Sequence, residues 1–310
     1  MRLSIVVPCY NCADNIVELL HKLWIQRCSE VEFIIINDGS TDSSEELIKK
    51  FIIFHDNGNF NFHSTPNAGA AAARTTGLAL ATGDYLFYCD SDDMIADDFV
   101  EVVLKNITEQ PDLVYFNSVM VFSSNNELVI KDKIKFPHDD IMHSGNTFLK
   151  KLLKNNAYTA AVWTYIFRRE MAISSNAYFT ARKSHEDHLF TLRLIAEAKS
   201  IIILSKQLYT QKITEGSLTN SEKNAEYIYD RYSAFLESYN DMKGKFDYET
   251  IALYAHWSIA AFLNLLSKKP LVIFKNRMFY IAFWKSKAIL IKTIGNYTFK
   301  KTLKKLGIGQ

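Results

Sequence analysis

The sequence predicts an α/β protein with a mostly parallel central sheet flanked by helices and with a C-terminal helical region. In the first third of the chain, short apolar runs rich in β-branched residues alternate with stretches of helical spacing, which is typical of parallel sheets. Polar residues follow three of these runs, and ligands collect beyond the carboxyl ends of such strands. From about residue 221 onward only helical patterns remain.

The N-terminal elements follow from the spacing of their apolar residues. Leu3–Val7 is a continuous apolar run too short for a helix, which predicts a buried strand. The next apolar residues fall on one face of a helix: Ile16, Leu19, Leu20 and Leu23. The other strands predicted before residue 94 are Glu32–Ile36, Phe60–His63 and Asp84–Cys89. One further helix is predicted to begin near Thr41, and another to span Ala68–Ala81.

The chain beyond residue 110 departs from this alternation. Two apolar runs, Leu113–Phe122 and Leu128–Ile134, flank a polar segment and predict a hairpin. Helices are predicted over Gly145–Lys154 and Asp187–Ala198, and a strand over Ile201–Leu204.

Charge is distributed unevenly along the 310 residues. Residues 250–310 contain eleven Lys and Arg and no Asp or Glu, whereas residues 1–249 carry 25 basic and 34 acidic side chains. This polarity argues for an anionic partner at the basic end. Aromatic residues are interleaved with the lysines there, which favours a helix lying in a membrane interface. A solvated helical bundle, a subunit contact and a nucleic-acid patch are the alternatives, and nucleic acid is the least favoured.

The compartment is predicted from the cysteines and from the absence of targeting signals. Four cysteines without a dense framework favour a reducing cytoplasm. The pair Cys9 and Cys12 lacks the second pair that a zinc site needs, so these residues are interpreted as small apolar side chains. A strand begins at once at Leu3, so no signal peptide is expected. No run of about 18 uninterrupted apolar residues marks a membrane span.

The polar segments at three strand ends are expected to meet at one edge of the sheet. They are Pro8-Cys9-Tyr10-Asn11, Asn37-Asp38-Gly39-Ser40 and Asp90-Ser91-Asp92-Asp93. The last segment contains alternating acids, Asp90 and Asp92, and hard divalent ions prefer carboxylate and phosphate oxygens. A cation held there could bridge the phosphates of a nucleotide diphosphate. The alternative is an acidic cluster that caps a nearby helix.

The same segments resemble the nucleotide-binding half of the family 2 glycosyltransferases of bacterial surface-polysaccharide type, which have the glycosyltransferase-A fold. Order and spacing agree over residues 3–93, and the resemblance continues more loosely to about residue 219. It implies a nucleotide-sugar-binding half over residues 1–110, an acceptor-binding half over residues 111–220 and a basic, helical region over residues 221–310. The matching segments include Ser4–Asn11, Ile36–Asp42, Asn67–Gly77 and the DXD motif Asp90-Ser91-Asp92.

The resemblance also implies roles for single residues. Asp38 would accept a hydrogen bond from the base, typically uracil, and Arg74 would face the nucleotide, where a guanidinium suits an anion. Asp92 would ligate Mn²⁺ or Mg²⁺ directly, and Asp90 would contact the ribose or the metal. The remaining expected nucleotide contacts are Pro8, Tyr10, Asn11 and Ser91. Two positions depart from the family pattern, Ala13 in place of Glu and Asn37 in place of Asp.

The candidate catalytic base lies in Ser184-His185-Glu186-Asp187-His188, ahead of a predicted amphipathic helix. A helix-capping cluster is one interpretation, because acids are favoured at helix N-termini. A zinc site is a poor one, because the two histidines lack a suitable spacing and a third ligand. The resemblance assigns Asp187 as general base for the acceptor hydroxyl, with Glu186 orienting the acceptor or the base. A single displacement would invert the anomeric carbon.

Three further features are considered near the acceptor side, the first from the resemblance and the others from the chemistry of their side chains. The segment Glu215–Thr219 resembles the family's mobile loop, and Lys212 before it could offset the diphosphate charge or be solvated. Trp163 could line the acceptor site, but core packing is the commoner role of a tryptophan.

These observations predict an inverting, metal-dependent hexosyl- or N-acetylhexosaminyltransferase that uses a UDP-sugar and a glycan or lipid-linked acceptor. We expect it in the cytoplasm, peripherally at the inner face of the membrane, with residues 250–310 on anionic lipid. A sugar nucleotidyltransferase would need a Gly-rich phosphate loop where Pro8-Cys9-Tyr10-Asn11 stands. A non-catalytic nucleotide-binding or membrane-organising protein would have no use for Glu186 and Asp187.

Overall fold

A computed structural model describes residues 1–55, 58–124, 127–213, 223–269 and 277–295. The chain divides into two compact units. The first comprises Met1–Phe148, Thr159–Ala181 and Glu186–Ser221, and the second comprises Leu149–Tyr158, Arg182–His185 and Glu222–Gln310. The division of the catalytic part into residues 1–110 and 111–220 remains a prediction.

Ten strands form one sheet in the described part of the first unit. The strands are β1 Leu3–Cys9, β2 Val31–Asp38, β3 Phe60–Thr65, β4 Tyr85–Tyr88, β5 Met94–Ile95, β6 Leu113–Ser124, β7 Glu127–Ile134, β8 Asp140–Met142, β9 Tyr165–Arg168 and β10 Ile201–Ile213. Strands β1, β2 and β4 are buried along nearly their whole length, as their continuous apolar runs predicted, whereas β3 and β7 are largely exposed or half-buried.

The order of the main path is β3-β2-β1-β4-β9-β6-β10-β5, with β7 beside β6 and β8 beside β10. The four N-terminal strands on this path are parallel, as is the pair of β6 and β10. The pairs of β9 with β4 and β6 are antiparallel, as are those of β7, β5 and β8. The parallel arrangement is therefore a property of the N-terminal half, and the sheet as a whole is mixed.

Seven α-helices begin in the first unit in the part of the chain that the structure describes. The helix after β1 buries the face that the sequence predicted, Ile16, Leu19, Leu20 and Leu23. These helices are α1 Ile16–Ile25, α2 Ser44–His55, α3 Ala70–Leu80, α4 Phe99–Ile107, α5 Gly145–Lys154, α6 Arg169–Ser174 and α7 His188–Glu197, with a 3₁₀ turn at Val162–Thr164.

The second unit is helical in its described residues after residue 223. It contains α8 Ala225–Asp241, α9 Tyr248–Lys268, α10 Arg277–Lys285 and α11 Lys287–Ile294. Asp247 caps α9 by accepting a hydrogen bond from the Thr250 amide at 2.7 Å. The rings of Tyr232 and Phe262 pack 4.7 Å apart between α8 and α9. The predicted break at Pro270 lies outside the described residues.

By length and composition alone, α9 could cross a membrane. It has 21 residues and contains an 18-residue window with a mean hydropathy of 1.3, of which 39% is buried within the protein. A core helix passes the same test, so this observation is weak evidence. The sequence predicted no membrane span because polar residues such as His256 and Asn264 interrupt the apolar residues of this helix.

Candidate active site

The loops that follow β1 and β2 are hydrogen-bonded to each other at the carboxyl edge of the sheet. The Asn11 amide donates to Ser40 Oγ at 3.0 Å, and the Thr41 amide donates to Asn11 Oδ1 at 2.8 Å. Asn11 has a φ of 48°, a left-handed conformation that asparagine tolerates well. Tyr10 is exposed beside it and Pro8 is half-buried at the end of β1. The structure thus brings together the first two predicted segments.

Asp38 is held at the end of β2 and is only 3% exposed. Its two carboxylate oxygens accept hydrogen bonds from the amides of Ala68 and Gly69 at 2.9 and 2.8 Å. Gly39 is required beside it, because its φ is 65° and a Cβ there would lie 2.6 Å from the Asn67 nitrogen. An ionised carboxylate has about four acceptor positions, so Asp38 retains capacity to accept from a ligand.

The acidic segment after β4 is anchored by Asp93, a residue to which the sequence assigned no role. Tyr209 donates its hydroxyl hydrogen to Asp93 Oδ2 at 2.6 Å, and the Lys212 amide donates to Asp93 Oδ1 at 2.8 Å. Burial, followed by the charge of Asp90, raises the pKa of the Asp93 carboxyl well above its usual range. Asp93 therefore attaches the acidic segment to β10.

Asp90, Ser91 and Asp92 are half-buried at this edge. Burial, then the neighbouring charge of Asp90, raises the pKa of Asp92. In the described part of the chain, no other side chain donates a hydrogen bond to Asp92. The segment is not a helix cap, because α4 begins at Phe99 with Asp98 at its N-cap.

The donor set of Asp90 and Asp92 fits a hard divalent cation bound through few protein ligands. Both side chains offer carboxylate oxygens, which Mg²⁺ and Mn²⁺ prefer. Among the residues that the structure describes, no group of three or more His, Cys, Asp or Glu side chains forms a dedicated cage. Two carboxylates with the phosphates of a substrate are a common arrangement for Mg²⁺.

Glu186 and Asp187 precede α7, with Asp187 at the N-cap position. The Asp187 side chain makes no capping hydrogen bond, which removes the capping interpretation for this residue. Burial raises its pKa to about 7, the charge of Glu186 adds to this rise, and Arg74 opposes it. A carboxylate with this pKa is a far better base than an exposed aspartate, whose pKa is about 3.9.

Arg74 joins the acidic segment to the candidate base. Its Nη2 donates to Asp90 Oδ1 at 3.0 Å and its Nη1 donates to Glu186 Oε1 at 2.6 Å. The side chain arises from α3 and Arg74 is 8% exposed. The Arg74 guanidinium therefore joins two predicted segments, the acidic segment and that of the candidate base, the second of which lies 112 positions away in the chain.

The remaining predicted residues lie as follows. The Nζ of Lys212 pairs with Glu18 Oε2 at 2.7 Å. Trp163 is 4% exposed and stacks on Tyr209 at 4.7 Å between ring centroids, so it has the core role rather than that of an acceptor platform. The predicted mobile loop Glu215–Thr219 lies outside the described residues.

Comparison with known proteins identifies the class. The family model of glycosyl transferase family 2 matches residues 4–174, more than half of the 310 residues. The chain therefore belongs to glycosyltransferase family 2 and is a glycosyltransferase, as the motifs predicted.

Two bacterial relatives illustrate the sequence similarity. An uncharacterized glycosyltransferase of Haemophilus influenzae is 33% identical over 205 residues, which cover 66% of this chain and 76% of the relative. The uncharacterized glycosyltransferase YibD of Escherichia coli is 26% identical over 249 residues, 77% of this chain and 71% of its own.

The structural similarity confirms the predicted glycosyltransferase-A fold. The crystal structure of S. aureus TarS residues 1–349 in complex with UDP-GlcNAc has a TM-score of 0.65 and 23% sequence identity. The match covers 87% of this chain and 73% of that one. At this identity the likeness shows the fold.

Proposed function

We propose that this chain is an inverting, metal-dependent glycosyltransferase that moves a hexosyl or N-acetylhexosaminyl group from a UDP-sugar to an acceptor hydroxyl. One observation carries the proposal. The acids at the end of β4 and those at the start of α7 meet on Arg74 at the carboxyl edge of the sheet, where ligands bind in such folds.

The nucleotide is assigned to the carboxyl edge of the sheet at the loops after β1 and β2. Asp38 is oriented by two backbone amides and can accept a hydrogen bond from a base such as uracil. Tyr10 is exposed and offers a ring face to the same base. Pro8, Asn11 and Ser91 border this edge. The UDP-GlcNAc complex of the structurally similar TarS supports a uridine nucleotide as the donor.

Asp90 and Asp92 would hold Mn²⁺ or Mg²⁺. A cation bound there would neutralise the charge that develops on the departing diphosphate. The raised pKa of Asp92, caused by burial and by Asp90, supports this role because a nearby cation would favour the ionised form. Arg74 supplies a second positive charge next to Asp90.

Asp187 is proposed as the general base and Glu186 as the residue that orients it or the acceptor. The raised pKa of Asp187 suits removal of a hydroxyl proton near neutral pH. The acceptor oxygen would attack the anomeric carbon as the bond to the diphosphate breaks, and its proton would pass to Asp187 Oδ. Attack opposite the leaving group inverts the anomeric configuration.

The acceptor is proposed to be a glycan or a lipid-linked saccharide, reached at the inner face of the membrane. Exposed lysines on the last described helices, Lys285, Lys287 and Lys292, support contact with anionic lipid, at about 1 kcal/mol for each basic residue near the surface. Sedimentation with anionic and with neutral vesicles tests this contact. Equal recovery with both would instead favour a helical bundle or a subunit interface.

The test of the proposed function is a donor panel of UDP-glucose, UDP-galactose and their N-acetylated 2-amino counterparts. Thermal shift with Mn²⁺ identifies ligands, because a ligand at about 100 times its dissociation constant adds about 2.7 kcal/mol of stability. We expect one donor to release UDP, with Mn²⁺ required and EDTA abolishing release. Release from no donor, with or without saccharide acceptors, would contradict the proposal.

A further inference from the structure

Arg74 has two carboxylate partners that belong to different parts of the site. Nη1 lies 2.6 Å from Glu186 Oε1 and Nη2 lies 3.0 Å from Asp90 Oδ1. The Nε of Arg74 is buried and has no hydrogen-bond partner among the described residues. Within those residues, the two carboxylates therefore determine how the guanidinium is oriented.

The backbone of Arg74 is fixed by its surroundings. Tyr88 donates its hydroxyl hydrogen to the Arg74 carbonyl oxygen at 3.1 Å. One turn later in α3, a Cβ on Gly77 would clash with the Val6 side chain, so the helix packs closely on β1. The guanidinium also lies 5.9 Å from the centroid of the Phe179 ring. Arg74 thus approaches both acids from a rigid part of the fold.

Glu186 depends on Arg74 for its position. Its side chain is 14% exposed, so without the guanidinium it would be a largely buried charge next to the second acid, Asp187. Such an unpaired charge is costly, and Glu186 would turn toward solvent. Asp187 follows directly in the chain and feels the charges of both Glu186 and Arg74, so a displaced Glu186 would change the surroundings of the base. An arginine can donate to two carboxylates at once from a planar fork, whereas a lysine is a single point charge.

We propose that Arg74 is a positioning residue that holds Glu186, and through it the base Asp187, in a fixed position relative to the donor-side residue Asp90. This inference rests on the proposed function above. It assigns to Arg74 a role in the rate of the chemical step that is separate from the nucleotide contact expected from the sequence. Removing the fork should therefore lower kcat more than it weakens donor binding.

The test compares Arg74→Lys with the wild-type enzyme in two assays. Calorimetry measures the binding of UDP with Mn²⁺, and UDP release from the active UDP-sugar of the panel gives kcat and KM. We expect kcat to fall about 100-fold, the loss that a misplacement of about 1 Å can cause, with UDP affinity retained within a few-fold. Arg168→Lys is the matched control, because Arg168 pairs with Asp112 at the opposite end of the strands. It should keep the wild-type kcat.

Glu186→Gln tests the same link from the other side, and it keeps the proposal falsifiable if Arg74→Lys does not fold. It should also lower kcat with little change in UDP affinity. The kcat of the double variant should be about as low as that of the more impaired single variant and no lower, because the effects of groups that act as one unit are not additive.

Three results would overturn the positioning role: an unchanged kcat in Arg74→Lys, a loss confined to KM and UDP affinity, or additive effects in the double variant. A wild-type enzyme that binds UDP and Mn²⁺ but releases UDP from no sugar donor would instead overturn the proposed function.

Discussion

Buried acids occur at both ends of the parallel strands, and the two ends satisfy them differently. At the amino end, Glu32 is 2% exposed and Oε1 accepts from Ser4 Oγ, the Thr82 amide and the Thr82 hydroxyl at 2.6 to 2.9 Å. Burial acts to raise the pKa of Glu32, but the hydrogen bonds from Ser4 and Thr82 outweigh it and lower the pKa. Glu32 therefore has a structural role at the amino end, where hydrogen-bond donors stabilise its ionised form.

At the carboxyl end the acids are crowded by one another. Burial and neighbouring acids raise the pKa of Asp92, Asp93 and Asp187, although Arg74 pairs with Asp90 and Glu186. An excess of carboxylates can be relieved by a cation or by a proton. Burial alone therefore does not mark a functional acid. Among the described residues, no side chain donates a hydrogen bond to Asp92 or Asp187, whereas Asp93 at the same edge is held by Tyr209 and Lys212 and is structural.

The largest expected effect is that of Asp187→Asn. Removal of the base should reduce kcat by about 1,000-fold, within the range for general base catalysis, without loss of UDP binding. Asp98→Asn is the matched control, since Asp98 is also an N-cap residue without a capping hydrogen bond. Comparable turnover in Asp187→Asn and wild type would show that the base lies elsewhere.

Asp92→Ala should reduce Mn²⁺-dependent UDP release by about 100-fold, the scale for losing one element of electrostatic stabilisation. Mn²⁺ affinity in the presence of UDP, measured by calorimetry, should fall with it. Asp97→Ala is the control, because Asp97 is exposed and pairs with Lys22 on the surface. Retention of Mn²⁺ binding by Asp92→Ala would contradict the assignment of Asp92 as a cation ligand at the carboxyl end of the strands.

The pH dependence of kcat should report the ionisation of Asp187. Asp187 must be ionised to accept a proton, and burial raises its pKa to about 7. Activity should therefore fall by about tenfold for each pH unit below this value and level off above it. A kcat that stays constant down to pH values near 4 would mean that Asp187 titrates like an exposed aspartate.

Glu32→Gln should affect stability and leave turnover per folded molecule unchanged. The amide keeps an acceptor at Oε1, but it loses the charge that strengthens these hydrogen bonds, and its N–H₂ group would face the donors Arg2 and Asn61 that lie beside Oε2, at a cost of about 1 to 3 kcal/mol. Thermal unfolding should show a midpoint lowered by several degrees, at roughly 2 to 4 °C per kcal/mol. Glu30→Gln, at an exposed position, should show no shift. A lower kcat in Glu32→Gln would mean that an acid at the amino end of the strands also takes part in catalysis.

The sequence was most informative where strands are parallel and consecutive. Apolar runs predicted β1, β2 and β4 within a few residues, because a strand buried on both faces reads as a continuous apolar segment. The weaker pattern of β3, which is largely exposed or half-buried, also placed that strand within two residues. The short strands β5, β8 and β9 were missed, since two to four residues carry no periodic signal. The strand predicted at Ile201–Leu204 continues to Ile213, past an irregularity between Leu204 and Tyr209.

Site residues were found where a family motif marks them, but their partners were not. The motif indicated Asp90, Asp92 and Asp187 individually. Nothing in the chain between residues 74 and 186 indicates that Arg74 reaches both Asp90 and Glu186, because such contacts arise only when the sheet forms. For the same reason the anchoring of Asp93 by Tyr209 could not be predicted.

The proposed function requires that the acids after β4 bind the cation at one end of a nucleotide site. A crystal structure with UDP and Mn²⁺, with the manganese located from its anomalous signal, tests it most directly. We predict a peak in contact with the carboxylates of Asp90 and Asp92 and with the diphosphate, and the uracil beside Asp38. UDP bound with no manganese near these two aspartates would contradict the assignment of Asp90 and Asp92 as cation ligands.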